Sequence, residues 1–143
     1  MIKKVLLGAL ISLSTMSTAF AAHPMCGETE LARIMSDMKN NMKAIKNSFK
    51  RGEQELLDDA AKALLSNIRE SDTLVPLSIS DKQELSEEQK KQFNDYQKGM
   101  AALEEAAMEL IAAKDDAERK AAIGKIGKTA KKGHKAFKMD CDE

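Results

Sequence analysis

Residues 28–49 read ETELARIMSDMKNNMKAIKNSF, and their apolar positions decide the fold class. Leu31, Ile34, Met35, Met38, Met42, Ile45 and Phe49 step by three or four residues, the spacing that places side chains on one face of an α-helix. Lys39, Asn40, Lys43 and Lys46 take the other side. Gly52 follows as a helix stop, because glycine reaches the left-handed cap conformation without a Cβ clash.

Three further segments carry the same pattern. Between Glu53 and Ser71 the stripe is Leu56, Leu57, Ala60, Leu64, Leu65 and Ile68. Thr73 to Leu85, with Pro76, Ser78, Ser80 and Asp81, breaks the periodicity and is the longest connection. A third helix is predicted to begin near Ser86, whose hydroxyl and the Gln89 amide three residues on form a capping-box pattern. Its face is Phe93, Tyr96, Met100, Leu103, Ala107, Leu110 and Ile111. A fourth begins near Asp115, paired with Glu118, and its stripe is Ala122, Ile123, Ile126, Ala130, His134 and Phe137. No β-type alternation competes. Helices of about 20–25 residues with short links predict an all-α, antiparallel up-down-up-down four-helix bundle.

Composition agrees and excludes alternatives. The chain has 143 residues, enough for one domain, with 43% hydrophobic residues and few glycines or prolines; disorder and fibrous repeats are excluded. Lys and Arg balance Asp and Glu at 23 each, which leaves no overall basic excess for nucleic acid. Two cysteines are too few for a four-cysteine zinc site.

The first 21 residues read as a cleaved signal peptide. Lys3 and Lys4 precede an apolar run from Val5 to Leu13, and Ala19-Phe20-Ala21 is a cleavage pattern. The run is too short for a transmembrane helix, which needs about 20 residues. Residues 22–143 are then the folded domain, with 21 cations against 23 carboxylates. Export predicts the periplasm, no membrane insertion after cleavage, and a disulfide between Cys26 and Cys141, since exported cysteines pair. No C-x-x-C-H sequence is present for covalent haem attachment.

His134 lies on an apolar stripe, which predicts an imidazole turned toward the core. Gly127, Ala130 and Gly133 leave room beside it; glycine inside a helix costs about 1 kcal/mol against alanine, and the same small residues would also suit close helix packing. Among the methionines, Met35 stands out. In this topology the start of the first helix and the end of the fourth share one end of the bundle. Met35 is nine residues beyond Cys26 and His134 seven before Cys141, about 13 and 10 Å at helical rise. A thioether and an imidazole at that common depth are a ligand pair for a haem iron, a combination that raises the reduction potential and suits electron transfer. Met38, one turn away, is the rival sulfur ligand.

Ile34 to Ile45 (IMSDMKNNMKAI) and Lys131 to Phe137 (KKGHKAF) resemble the two ends of the soluble periplasmic cytochrome b562 family, and the resemblance extends over the whole exported chain. It implies one non-covalent haem b, held by Met35 and His134. It also implies a lining from the loop after the second helix and from aromatics early in the third, positions held here by Pro76 and Phe93, with Tyr96 nearby. Leu31, Met38, Ile68 and Phe137 are expected to complete that lining. The sequence departs from the family's best-known member in its cysteine pair, and from the family in having Lys132-Gly133 before the histidine.

The basic residues Lys125, Lys128, Lys131, Lys132, Lys135 and Lys138 form either a solvated face that complements the helix dipole or a contact for haem propionates or an acidic redox partner. His23, second in the exported chain, is a weak Cu(II) candidate, because Pro24 lacks an amide N–H. No nucleophile–base pair, phosphate loop or core carboxylate pair is present, so no enzyme is expected. The expected function is single-electron transfer by a monomer with protein redox partners. Two rivals remain: a copper site built from Met35, Met38, Met42 and His134, since thioethers favour Cu(I), and a haem-free interaction or stress module.

Overall fold

Local capping chemistry starts three of the four helices. The computed structural model describes residues 23–141; the signal-peptide reading of residues 1–21 lies outside them. Helix α1 spans Glu30–Arg51, behind Thr29, whose hydroxyl accepts the Ala32 N–H at 3.1 Å. It ends at Gly52, which adopts φ 69° and donates its N–H to the carbonyls of Phe49 and Ser48. Helix α2 spans Gln54–Ser71. Helix α3, Glu87–Ala112, begins with the capping box: Ser86 Oγ accepts from the Gln89 N–H at 3.2 Å, and Gln89 Oε1 accepts from the Ser86 N–H at 2.9 Å. Helix α4, Asp116–Phe137, starts at Asp115, whose carboxylate accepts the Glu118 N–H at 2.8 Å.

Two local expectations need correction. Helix α1 begins at Glu30, not Glu28, because Cys26 and Glu28 bond back to the carbonyls of His23 and Met25 in turns. Leu56, placed on the core stripe of α2, is 55% exposed. Leu57, Ala61, Leu64 and Ile68 instead form the buried face of that helix, so the stripe is rotated away from Leu56.

The chain folds as an all-α, antiparallel four-helix bundle. Helix α1 packs on α2, α2 on α3, and α3 on α4. Arg69 bridges α2 to Glu104 of α3 at 2.7 Å, and Lys125 bridges α4 to Glu109 of α3 at 2.6 Å. These exposed pairs contribute about 0–1 kcal/mol each. The main stabilisation is burial: Ile34, Ile45, Leu57, Leu64, Ile68, Leu110 and Ile126 are fully buried, and each contributes roughly 1.5–3 kcal/mol.

The fourth seam differs. Helices α1 and α4 scarcely approach one another, and among the described residues no hydrogen bond or ion pair joins them. Cys26 and Cys141 connect their ends, with a disulfide at a Cα–Cα distance of 5.5 Å.

Candidate functional site

Helix α4 is least covered in its second half, which shares an end of the bundle with the start of α1. Ala122 and Ile126 are the buried residues of α4, and both lie in its first half. Beside them Ile123 is partly buried, and further along the same stripe Ala130 and Phe137 are only partly buried as well. His134 sits between Ala130 and Phe137 and is exposed. The sequence placed this imidazole toward the core, and the structure corrects that. The histidine keeps the stripe's direction, but no neighbouring helix covers it. Its direction around α4 follows from Lys125, whose ion pairs with Glu105 and Glu109 mark the α3 side. His134 is nine residues on, about half a turn around at ~100° per residue, so it lies on the flank away from α3, toward α1.

Met35 lies on the facing helix, half-buried and packed against the core. It is five residues into α1, and His134 is three residues from the end of α4. Those positions are about 7.5 and 4.5 Å from helix ends that the disulfide ties together. The two candidate ligands therefore share one end and nearly one depth. Met38, the rival sulfur, is 7% exposed and belongs to the closed core.

Small residues border this region. A Cβ built on Gly127 or Gly133 meets nothing within 4 Å. Close packing against a neighbouring helix, which would bring atoms within that radius, is not what these glycines serve.

An aromatic cluster closes the same end. Phe93 stacks on Tyr96 with centroids 5.9 Å apart, and Tyr96 meets Phe137 edge-on at 5.6 Å. Tyr96 is 4% exposed, and its hydroxyl donates to the Ser71 carbonyl at 2.8 Å. Burial pushes its phenol up to about 12. Pro76 is buried in the α2–α3 connection. Ser78 of that connection donates to the Phe137 carbonyl at 2.6 Å, and Gln89 donates to the Ile79 carbonyl at 3.0 Å. Of the expected lining residues, Leu31, Phe93 and Phe137 are half-buried, whereas Met38, Ile68 and Pro76 are enclosed by protein.

Two features of this end were missed from sequence. The Ser78–Phe137 bond had no sequence signal, because serine in a loop has many partners. The role of His23 is also different: its Nδ1 accepts the Met25 N–H at 3.1 Å and its Nε2 lies 3.2 Å from Asp81. Both ring nitrogens are engaged, which argues against the Cu(II) reading. The hydrogen bond to His23 holds the Asp81 carboxyl below its ordinary range. It also ties the N-terminal segment to the α2–α3 connection.

The donor set suits a large flat ligand with a metal at its centre better than a bare ion. Among the described residues no group of three or more His, Cys, Asp or Glu gathers, and both cysteine sulfurs are in the disulfide. One thioether and one imidazole face a seam bordered by apolar and aromatic side chains, which fits haem. The family model described as Cytochrome b562 matches residues 30–138. Neither the curated proteins nor the solved structures give a significant match.

Proposed function

Because the chain belongs to the cytochrome b562 family, a family of haem-binding electron-transfer bundles, we propose that it is a periplasmic single-electron carrier holding one non-covalent haem b between Met35 and His134. The observation that carries this reading is the open α1–α4 seam, with a half-buried thioether on one side and an exposed imidazole on the other. Bound haem supplies a reversible one-electron iron couple.

The protein's own residues supply the rest. Met35 and His134 would hold the iron, a thioether and imidazole combination that favours its reduced state. Leu31, Phe93 and Phe137 exclude water, which lowers the dielectric around the ligands. Both cysteines are consumed in the disulfide, which leaves no thiol for a thioether bond and supports non-covalent binding. The disulfide and the leader-like residues 1–21 support an oxidising, exported location. No helix among the described residues is long and apolar enough to cross a membrane.

A reduced-minus-oxidised absorption spectrum of the haem-supplied protein tests the proposal. A low-spin, six-coordinate spectrum is expected, and a protein that takes up no haem would sink it. His134→Ala should remove six-coordination and weaken haem binding more than about 100-fold, beyond the range typical of supporting residues. An unchanged spectrum in that variant would refute the ligand assignment. Cu(I) binding without haem uptake, lost in Met42→Leu, would favour the thioether copper site instead.

A further inference from the structure

Helix α4 divides the protein's charge. Residues 119–139 carry Arg119 and seven lysines and no carboxylate, whereas residues 22–118 carry thirteen cations against twenty carboxylates. Within the basic stretch, Arg119 pairs with Asp116, Lys125 with Glu105 and Glu109, and Lys138 with Asp140. Lys120, Lys128, Lys131, Lys132 and Lys135 are exposed and make no ion pair among the described residues. The last four lie within eight residues, about 10 Å of helix.

These four lysines share the outward side of α4. Counted at ~100° per residue, Lys128 and Lys135 lie opposite the buried Ile126, Lys132 leans toward α3, and Lys131 leans toward the His134 flank. The strip therefore runs along the seam that holds the candidate ligands. A helix C-terminus attracts cations, but that accounts for the last turn. Lys128 and Lys131 lie further in, facing solvent.

We propose that Lys128, Lys131, Lys132 and Lys135 form the docking face for an acidic, single-electron carrier protein, which exchanges an electron with this protein across the α1–α4 seam. The proposal rests on the haem reading and names the partner chemistry for that site. When the partner is oxidised by one electron, the iron here is reduced by one, and no bond is made or broken. Charge complementarity carries it. The cations beside the seam, unpaired among the described residues, attract carboxylates, and the acidic remainder of the molecule turns that strip toward the partner, a steering effect that raises association rates. An anionic membrane is the weaker match. The apolar stripe of α4 faces the bundle, and its large hydrophobic residues are not among the exposed ones, Met25, Leu56 and Met108, so nothing beside the lysines would enter an acyl layer.

The test uses haem-loaded protein and a reduced flavodoxin, an acidic one-electron donor, as probe. The second-order rate of reduction is measured from about 10 mM to 300 mM salt, where screening shortens from ~30 Å to below 8 Å. The rate should fall about tenfold across that range. The variant with Lys128, Lys131, Lys132 and Lys135 all changed to Glu should react about tenfold more slowly at low salt. A control variant with Lys39, Lys43, Lys46 and Lys50 all changed to Glu alters net charge equally, away from the seam end, and should lose much less. Equal rates in wild type and the α4 variant, or equal losses in both variants, would overturn the proposal. So would binding to phosphatidylglycerol vesicles without any to flavodoxin. An NMR titration of the haem-free protein with flavodoxin reads docking separately. Shifts centred on α4 support this face even if haem uptake fails, and shifts centred elsewhere refute it even if haem binds.

Discussion

Ala122 and Ile126 in the first half of α4 are 4% and 1% exposed, whereas Ala130, His134 and Phe137 in the second half are partly buried or exposed. Both halves carry the same three-and-four spacing of small and apolar residues. The difference lies in what stands opposite. The first half packs on α3, and its Lys125 side chain is bonded to Glu109, which raises the pKa of the ammonium. The second half borders the seam that α1 does not close. A helix stripe states which side should be covered; only its neighbours determine whether it is.

The contrast can be broken most severely at the disulfide. Changing Cys26 and Cys141 together to Ser removes the link between the ends of α1 and α4. The enclosed loop is long, with a separation of 115 residues, so the loss should be about 4–5 kcal/mol on the chain-entropy account. Thermal unfolding should shift downward by about 10 °C or more. A shift below a few degrees would show that the other packed seams carry the bundle alone.

Ile126→Ala should cost about 2–5 kcal/mol in denaturant unfolding, as expected for a cavity in a closed core. The matching change in the open half, His134→Ala, should leave the stability of the haem-free protein almost unchanged. Similar losses at both positions would erase the distinction between the halves.

Gly127→Ala sharpens the same point with the opposite sign. Because a Cβ there meets nothing within 4 Å, the haem-free protein should gain about 1 kcal/mol from helix propensity. If the space at Gly127 serves haem, binding should weaken in that variant. A gain with unchanged haem affinity would show that the cofactor does not reach this glycine.

The smallest effect is expected at Tyr96. Its folded pKa lies near 12, above the ordinary value of 10.0, so the folded state retains a proton that the unfolded chain releases. Its contribution is fully present below pH 10 and is lost as pH rises from there toward 12. Stability should therefore decline over that window, and Tyr96→Phe should flatten the decline. An equal slope in both proteins would assign the effect to other groups.

The four stripes, the Gly52 stop and the caps at Ser86 and Asp115 were legible in the sequence because each depends on residues within about one helical turn. The pairing of Cys26 with Cys141 was legible from the reading of export. The Leu56 error arose because α2 carries adjacent leucines, and periodicity alone does not set the helix's rotation. The aromatic cluster was only partly legible: Phe93 and Phe137 were marked, but Tyr96 as their bridge, anchored on Ser71, depends on contacts between distant segments.

The sequence by itself determined the all-α architecture, the antiparallel order and the common depth of Met35 and His134, because helical period and short connections are local properties. Tertiary structure decided that α1 and α4 stay apart, that His134 is exposed on an inward stripe, and that Ser78, Asp81 and Tyr96 hold the end beside it. Those outcomes depend on which side chains fill the space between helices. Small residues such as Gly127, Ala130 and Gly133 permit either a tight seam or an open one, and only packing against every neighbour selects between them.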